Sequence, residues 1–273
     1  MERLRSRVTV ALALALPIPP GSAGAPGSPA PGLTLVGVGP GDPDLLTVAA
    51  VRAIASADLV AYPVARVGAE GMAAAIAAPW ITAAQERLPL LFPMTEAAEP
   101  RRRAWRDAAD HLAAAVAGGQ AVVLLCEGDV SLFATSSYVL LALRHFHPQC
   151  PVRLIPGISA VAAAAAAGAW PLALQREGLL IRPTPEDPAA LEALLERAAA
   201  EELVLALLKL GKRWAWVRPL LERRGLLEGA LFARRVGWPD QVVAPAAALA
   251  AGEMPYFSLL LIRQGWPAVL PWS

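Results

Sequence analysis

The sequence is poor in cysteine. It has two, Cys126 and Cys150, and no CxxC pair. Two thiols are too few for a disulfide framework, and a zinc ribbon or redox dithiol needs that paired spacing. A reducing, cytoplasmic setting is expected. Charge of neither sign dominates: 24 Lys and Arg stand against 23 Asp and Glu, a net charge of +1. That balance gives no global pull toward nucleic acid or an anionic membrane, and neither partner is expected. Long hydrophobic runs are scarce. The longest near the middle, 158–170, is too short for a bilayer, which takes about 20 residues. There is no GK[ST] loop, no internal repeat and no Ser/His/Asp order that stands out. His145, His147 and Cys150, in HFHPQC, have no fourth ligand near. They fall at the end of a predicted helix, where histidine is favoured by the helix dipole. No metal is expected.

What is present is apolar: 56% of 273 residues, enough for one large core or two modest ones. Residues 1–32 stand apart. Arg3, Arg5 and Arg7 precede an apolar stretch, and PIPPGSAGAPGSPAPG follows. On paper this imitates a signal peptide, but it reads as a disordered or targeting-like leader and is set aside from the fold.

The rest is organised around LTLVGVGPGDPDLLT, residues 33–47. An apolar strand breaks into a glycine-rich loop and then into an apolar pattern of helical period. Asp42 is a plausible N-cap, with Pro43 at the first helical position. Further on, 58–62 reads as a strand and 68–78 as a helix. LPLLFPMT, 88–95, carries two prolines and reads as an edge strand or loop. Residues 100–118 form an amphipathic helix with Trp105, Ala109, Leu112 and Val116 on one side. AVVLLC, 121–126, is a buried-type strand that runs into Glu127-Gly128-Asp129. A helix at 136–145 and a strand at 152–155 follow, the latter ending in PGISA. Three strand ends thus finish in glycine loops, and in an open α/β sheet such ends face one cleft. In the second half 179–181, 203–208, 230–236 and 257–262 read as strands. Helices at 188–199 and 214–224 separate the earlier ones, so this sheet is expected to be mixed. The expected domains are 33–155 and 156–273.

The first loop fails as a dinucleotide site. Gly37, Gly39 and Gly41 do not have GxGxxG spacing, Asp42 would oppose a pyrophosphate, and Asp58 precedes the second strand instead of ending it. A purely structural turn is the other reading. Taken whole, GPGDPDLLT, ADLVAYP, CEGD and PGISA, in this order, resemble the tetrapyrrole methyltransferase family, from residue 33 to the end. The resemblance implies two α/β domains with the ligand cleft between them, S-adenosylmethionine as donor, a tetrapyrrole substrate and a homodimer. ADLVAYP, LPLLFPMT, LLCEGDVSLF and LLKLGK narrow it to the cobalamin-synthesis branch that methylates carbon 20 of precorrin-2. Cobalt-factor II or another corrinoid is the alternative substrate, and a decayed ligand-binding protein the alternative function.

By that resemblance the donor positions are Pro40, Glu127, Gly128, Asp129, Leu132, Ser159, Ala160, Leu208 and Gly237. Asp129 has a rival reading as the N-cap of the next helix. Gly39, Gly41 and Asp42 are expected to face the substrate. Lys212 and Arg213, at a strand end, are expected to bind its carboxylates, as arginine does bidentately. Candidates for a catalytic base are Asp42, Tyr62 and Glu127. The sequence departs from the family in its second loop, GDVSLFA where GDPxxYG is usual, which puts Phe133 in doubt as a site residue. Cys126 reads as a buried strand residue and not as a nucleophile.

Overall fold

The computed structural model describes residues 31–271. The expected leader lies outside them except for its last two residues, and Gly32 already belongs to the first strand. That strand, β1 (Gly32–Gly37), sits inside a five-stranded sheet with β2 (Leu59–Val64), β3 (Glu86–Leu91), β4 (Ala121–Cys126) and β5 (Val152–Ile155). The order is β3-β2-β4-β1-β5, all parallel. β4 is buried along all six residues, as a strand covered on both faces must be. Its Val122 and Cys126 pair with Leu33 and Gly37 of β1.

Side chains alternate across the sheet. Leu33, Leu35 and Leu124 pack on one face with Leu112 of α3 (Ala98–Ala117) and Leu143 of α4 (Thr135–Phe146). Val36, Val123 and Leu125 pack on the other with Ile54 of α1 (Val48–Ser56) and Ile76 of α2 (Met72–Ala77). β3 pairs only with β2. An edge strand tolerates Pro89, because one side of it has no ladder to complete. Its span begins two residues before the one expected.

The helix expected from Asp42 is corrected. Asp42 caps only a single 3-10 turn, Pro43–Leu45, by accepting from Asp44 N. Leu46 then returns to extended backbone. α1 begins after Thr47, whose hydroxyl accepts from Ala50 N at 3.1 Å.

The second sheet has the order β6-β7-β10-β8-β9: β6 (Gly178–Pro183), β7 (Leu203–Leu208), β8 (Ala230–Arg234), β9 (Val242–Pro245) and β10 (Ser258–Ile262). It is mixed. β6 and β7 are parallel, and the other pairs antiparallel. Leu205, Phe232 and Leu260 pack on α6 (Pro188–Ala200) and α7 (Trp214–Arg223), with Trp214 fully buried. The other face lies on the alanine helix α5 (Ala160–Ala167), through Val161 and Ala164 against Ala206, Ala233 and Leu261. α5 thus leaves the end of β5 and underlies the second sheet, which joins the two halves. Just beyond β10, Arg263 is buried in an ion pair with Glu177, at 2.7 and 2.8 Å. Among the described residues no helix is long and apolar enough to cross a membrane.

Candidate active site

Three strand ends meet backbone to backbone. Gly39 and Gly128 exchange hydrogen bonds, N to O at 3.2 and 2.8 Å. A Cβ on Gly157 would lie 2.1 Å from Gly128 O, and one on Gly37 2.5 Å from Gly157 N. Only glycine permits this approach. Asp129 ties the third loop in. Its Oδ2 accepts from Gly157 N at 3.0 Å, and its Oδ1 accepts from the Ser131 amide and hydroxyl. Burial raises its pKa, but these bonds outweigh it and hold the carboxyl below its ordinary value. The rival reading of Asp129 as a helix cap is therefore corrected: α4 starts after Ala134, and Asp129 is a clasp between loops.

A cavity of about 600 Å³ opens at these ends, between the two halves. Of the expected donor positions Pro40, Glu127, Gly128, Asp129, Leu132, Ser159, Ala160 and Leu208 line it. Gly128 has φ +66°, and a Cβ there would meet nothing within 4 Å, so bare backbone faces open space. Ser159 accepts from Ala162 N and starts α5. Glu127 is half-buried, and desolvation pushes its carboxyl above the ordinary value. Cys126 is buried behind it, its thiol pushed up to about 11 by desolvation.

Other expected positions lie elsewhere. Gly41, Asp42 and Gly237 line a separate concavity beside the first loop. Gly237 has φ +83°, and a Cβ there would lie 2.4 Å from Asp42 N. It is where the second half touches the GPGD loop. Next to it, Trp238 Nε1 donates to Pro40 O at 2.9 Å. Gly39 is spent on the bridge to Gly128. Tyr62 packs on Gly71, where a Cβ would lie 2.4 Å from its ring. Lys212 is exposed, and Arg213 pairs with Glu186 and donates to Lys209 O at 3.0 Å. None of these last four lines the cavity. Away from it, His147 Nε2 lies 2.6 Å from Asp110 Oδ1. Among the described residues no three His, Cys, Asp or Glu are grouped to hold a metal.

The cations that do line the cavity are Arg66, Lys209 and Arg235. Lys209 follows β7 at φ +58°, and Arg235 follows β8 at φ +46°. Arg235 pairs with Asp240 at 2.7 Å and lies 4.8 Å from the Trp238 ring centre. Phe92 and Met94, from FPMT, also line it. In the sequence FPMT serves as a branch marker, and neither Lys209 nor Arg235 is among the expected site positions. The strand-end rule, applied to the second sheet as to the first, points to both.

Two α/β halves thus flank one cleft at the ends of their strands. The chain matches the Tetrapyrrole (Corrin/Porphyrin) Methylases over residues 32–250 and belongs to that family. It is 32% identical over 235 residues to a precorrin-2 C(20)-methyltransferase from Sinorhizobium sp, covering 83% of this chain and 92% of the relative. It is 30% identical over 231 residues to a cobalt-precorrin-2 C(20)-methyltransferase from Salmonella typhimurium, covering 83% and 94%. With the cobalamin biosynthesis protein CobIJ of Mycobacterium bovis it shares 36% over 238 residues, and there it spans 83% of itself but only 44% of the relative's length. Among solved structures, the methyltransferase CobJ superposes with a TM-score of 0.61 at 26% identity, over 88% of this chain and 98% of that one.

Proposed function

We propose that this chain is an S-adenosylmethionine-dependent C-methyltransferase that methylates carbon 20 of precorrin-2, giving precorrin-3A in cobalamin biosynthesis. One observation carries the reading: a single cavity is lined by residues of all three strand-end loops, Pro40, Gly128 and Ser159, and by the three cations Arg66, Lys209 and Arg235. The first suit a donor and the second a polycarboxylate. The chain's own residues fit the donor. Gly128 offers bare backbone, the Asp129 carboxylate can face an ammonium, and Leu132, Ala160 and Leu208 give apolar walls. The donor supplies an electrophilic methyl group on a sulfonium sulfur.

The protein's task is then to hold, orient and keep dry. Pro40 and the clasped loops fix one wall, and Phe92 and Met94 line another. Arg66, Lys209 and Arg235 steer substrate carboxylates. Positioning of this kind supplies about 7–11 kcal/mol in favourable cases. In this reading the domains divide at 155/156, and the enzyme works as a cytoplasmic homodimer.

Incubation with precorrin-2 and methyl-labelled donor tests the reading. The expected product carries one labelled methyl at carbon 20. No label in the tetrapyrrole, with donor binding seen by calorimetry, overturns it. The Salmonella relative's name favours a second reading, a cobalt-containing substrate. Product mass spectra with metal-free and cobalt-loaded substrate side by side decide between them.

A further inference from the structure

Replacing a hydrogen by a methyl group leaves a proton to be removed, and the residue that takes it can be sought in the cavity. Of the three base candidates, Asp42 lies in the other concavity and Tyr62 packs on Gly71. Glu127 alone lines the cavity. Its surroundings set it apart from the other acids there. Asp129 has both oxygens engaged by Gly157 and Ser131. Glu70 is solvent-exposed on the loop after β2. Glu127 directly follows a wholly buried strand, and among the described residues its carboxylate has no hydrogen bond or ion pair. A half-buried carboxylate facing a cavity without a partner has its lone pairs available for a proton.

Resting on the functional reading above, we propose that Glu127 is the catalytic base that takes the proton from carbon 20 of the tetrapyrrole. The balance is simple. The new carbon–methyl bond uses an electron pair of the tetrapyrrole, and the donor sulfonium leaves as a neutral thioether. The C20–H bond then breaks, its electron pair returns to the ring system, and the proton moves to the Glu127 carboxylate. No oxidant or metal enters.

Other charged and titratable groups of the cavity do not duplicate the role. Arg66, Lys209 and Arg235 are cations, and Arg235 is already paired with Asp240. Burial pushes the Cys126 thiol up to about 11, so it stays protonated near neutral pH. Tyr256, on the second half, is half-exposed under Lys209, whose Nζ lies 6.0 Å from its ring centre. Desolvation by burial keeps the Glu127 carboxyl above the ordinary carboxylate value. A base is most effective when its pKa lies near the working pH.

Two measurements on the full chain test the assignment. In steady-state methylation of precorrin-2, Glu127→Gln is expected to lower kcat about 100-fold or more. KM for the tetrapyrrole should stay within about threefold. The acid limb of the wild-type kcat–pH profile should vanish in the variant, and Glu127→Asp should restore part of the rate. In thermal unfolding without ligands, Glu127→Gln is expected to gain stability over wild type at pH 8 and none at pH 4. A variant that keeps its rate within threefold overturns the proposal. So does one that loses rate and donor binding together with an unchanged pH profile, or one with no pH-dependent stability difference. A wild-type chain that passes the unfolding test yet methylates no tetrapyrrole overturns the functional reading itself.

Discussion

Gly157 illustrates how much a single residue fixes here. It has no Cβ, and one would meet Gly128 O at 2.1 Å, a backbone atom held by the bridge to Gly39. Gly157→Ala is expected to cost about 1–3 kcal/mol, the usual cost of overpacking, and to weaken the donor at least tenfold. Urea unfolding and calorimetry measure the two. Asp129→Asn leaves one acceptor oxygen where two are used, and should cost about 1–2 kcal/mol by the same unfolding measurement. At this scale the first half's strand ends were legible, because a glycine loop after an apolar run is a local pattern. The direction a loop takes was not. Gly41 and Asp42 follow directly on Pro40 yet line a different concavity, where a 3-10 turn follows and Trp238, from a distant part of the chain, bonds to Pro40 O. Lys209 lines the cavity and Lys212 does not; Lys209 has left-handed backbone at the end of β7, a conformation no periodicity reveals.

Between elements, the Glu177–Arg263 pair ties the segment before β6 to the segment after β10. Both side chains are buried, 10% and 3% exposed. Arg263 also donates to Pro171 O at 3.0 Å and lies 4.6 and 4.7 Å from the Trp170 and Trp266 ring centres. Removing one partner of such a pair strands the other's charge, so Glu177→Gln is expected to cost about 3–5 kcal/mol in chemical unfolding. The pH dependence has a definite sign. The hydrogen bond from Arg263 holds the Glu177 carboxyl below its ordinary 4.5. The pair's stabilisation is full above that value and is lost as pH falls through the lowered one. Wild type should therefore lose stability below about pH 4.5 more steeply than Glu177→Gln, the difference appearing in midpoints measured between pH 3 and 6. Nothing in the sequence announced this pair, since its members lie far apart in the chain. Elements themselves were legible where apolar period was strong, as in β4 and α3. They were misjudged at their starts, where Thr47 and not Asp42 caps α1, because both residues are good caps and only tertiary packing of Leu46 selects between them.

For the whole molecule, the cavity draws its cations from both sheets: Arg66 follows β2 of the first, Lys209 and Arg235 follow strands of the second. If these bind substrate carboxylates, each charge contributes to capture more than to chemistry. Arg66→Glu and Lys209→Glu should each raise KM for the tetrapyrrole about tenfold or more at low salt. Each should change kcat little, with the effect shrinking as ionic strength rises. The two-sheet plan could be anticipated from the change of strand spacing at mid-chain. The order of strands could not, because registers such as Leu33 with Val152 join distant stretches. That register also has a meaning in time. β1 is made first, but it lies between β4 and β5. Its edges stay unpaired until both have been made. At about 5–20 residues per second this is a wait on the order of ten seconds. During that interval a short, apolar, β-prone segment is exposed beside the ribosome. A cell making this chain must shield LTLVGV before it can use the cleft that LTLVGV leads into.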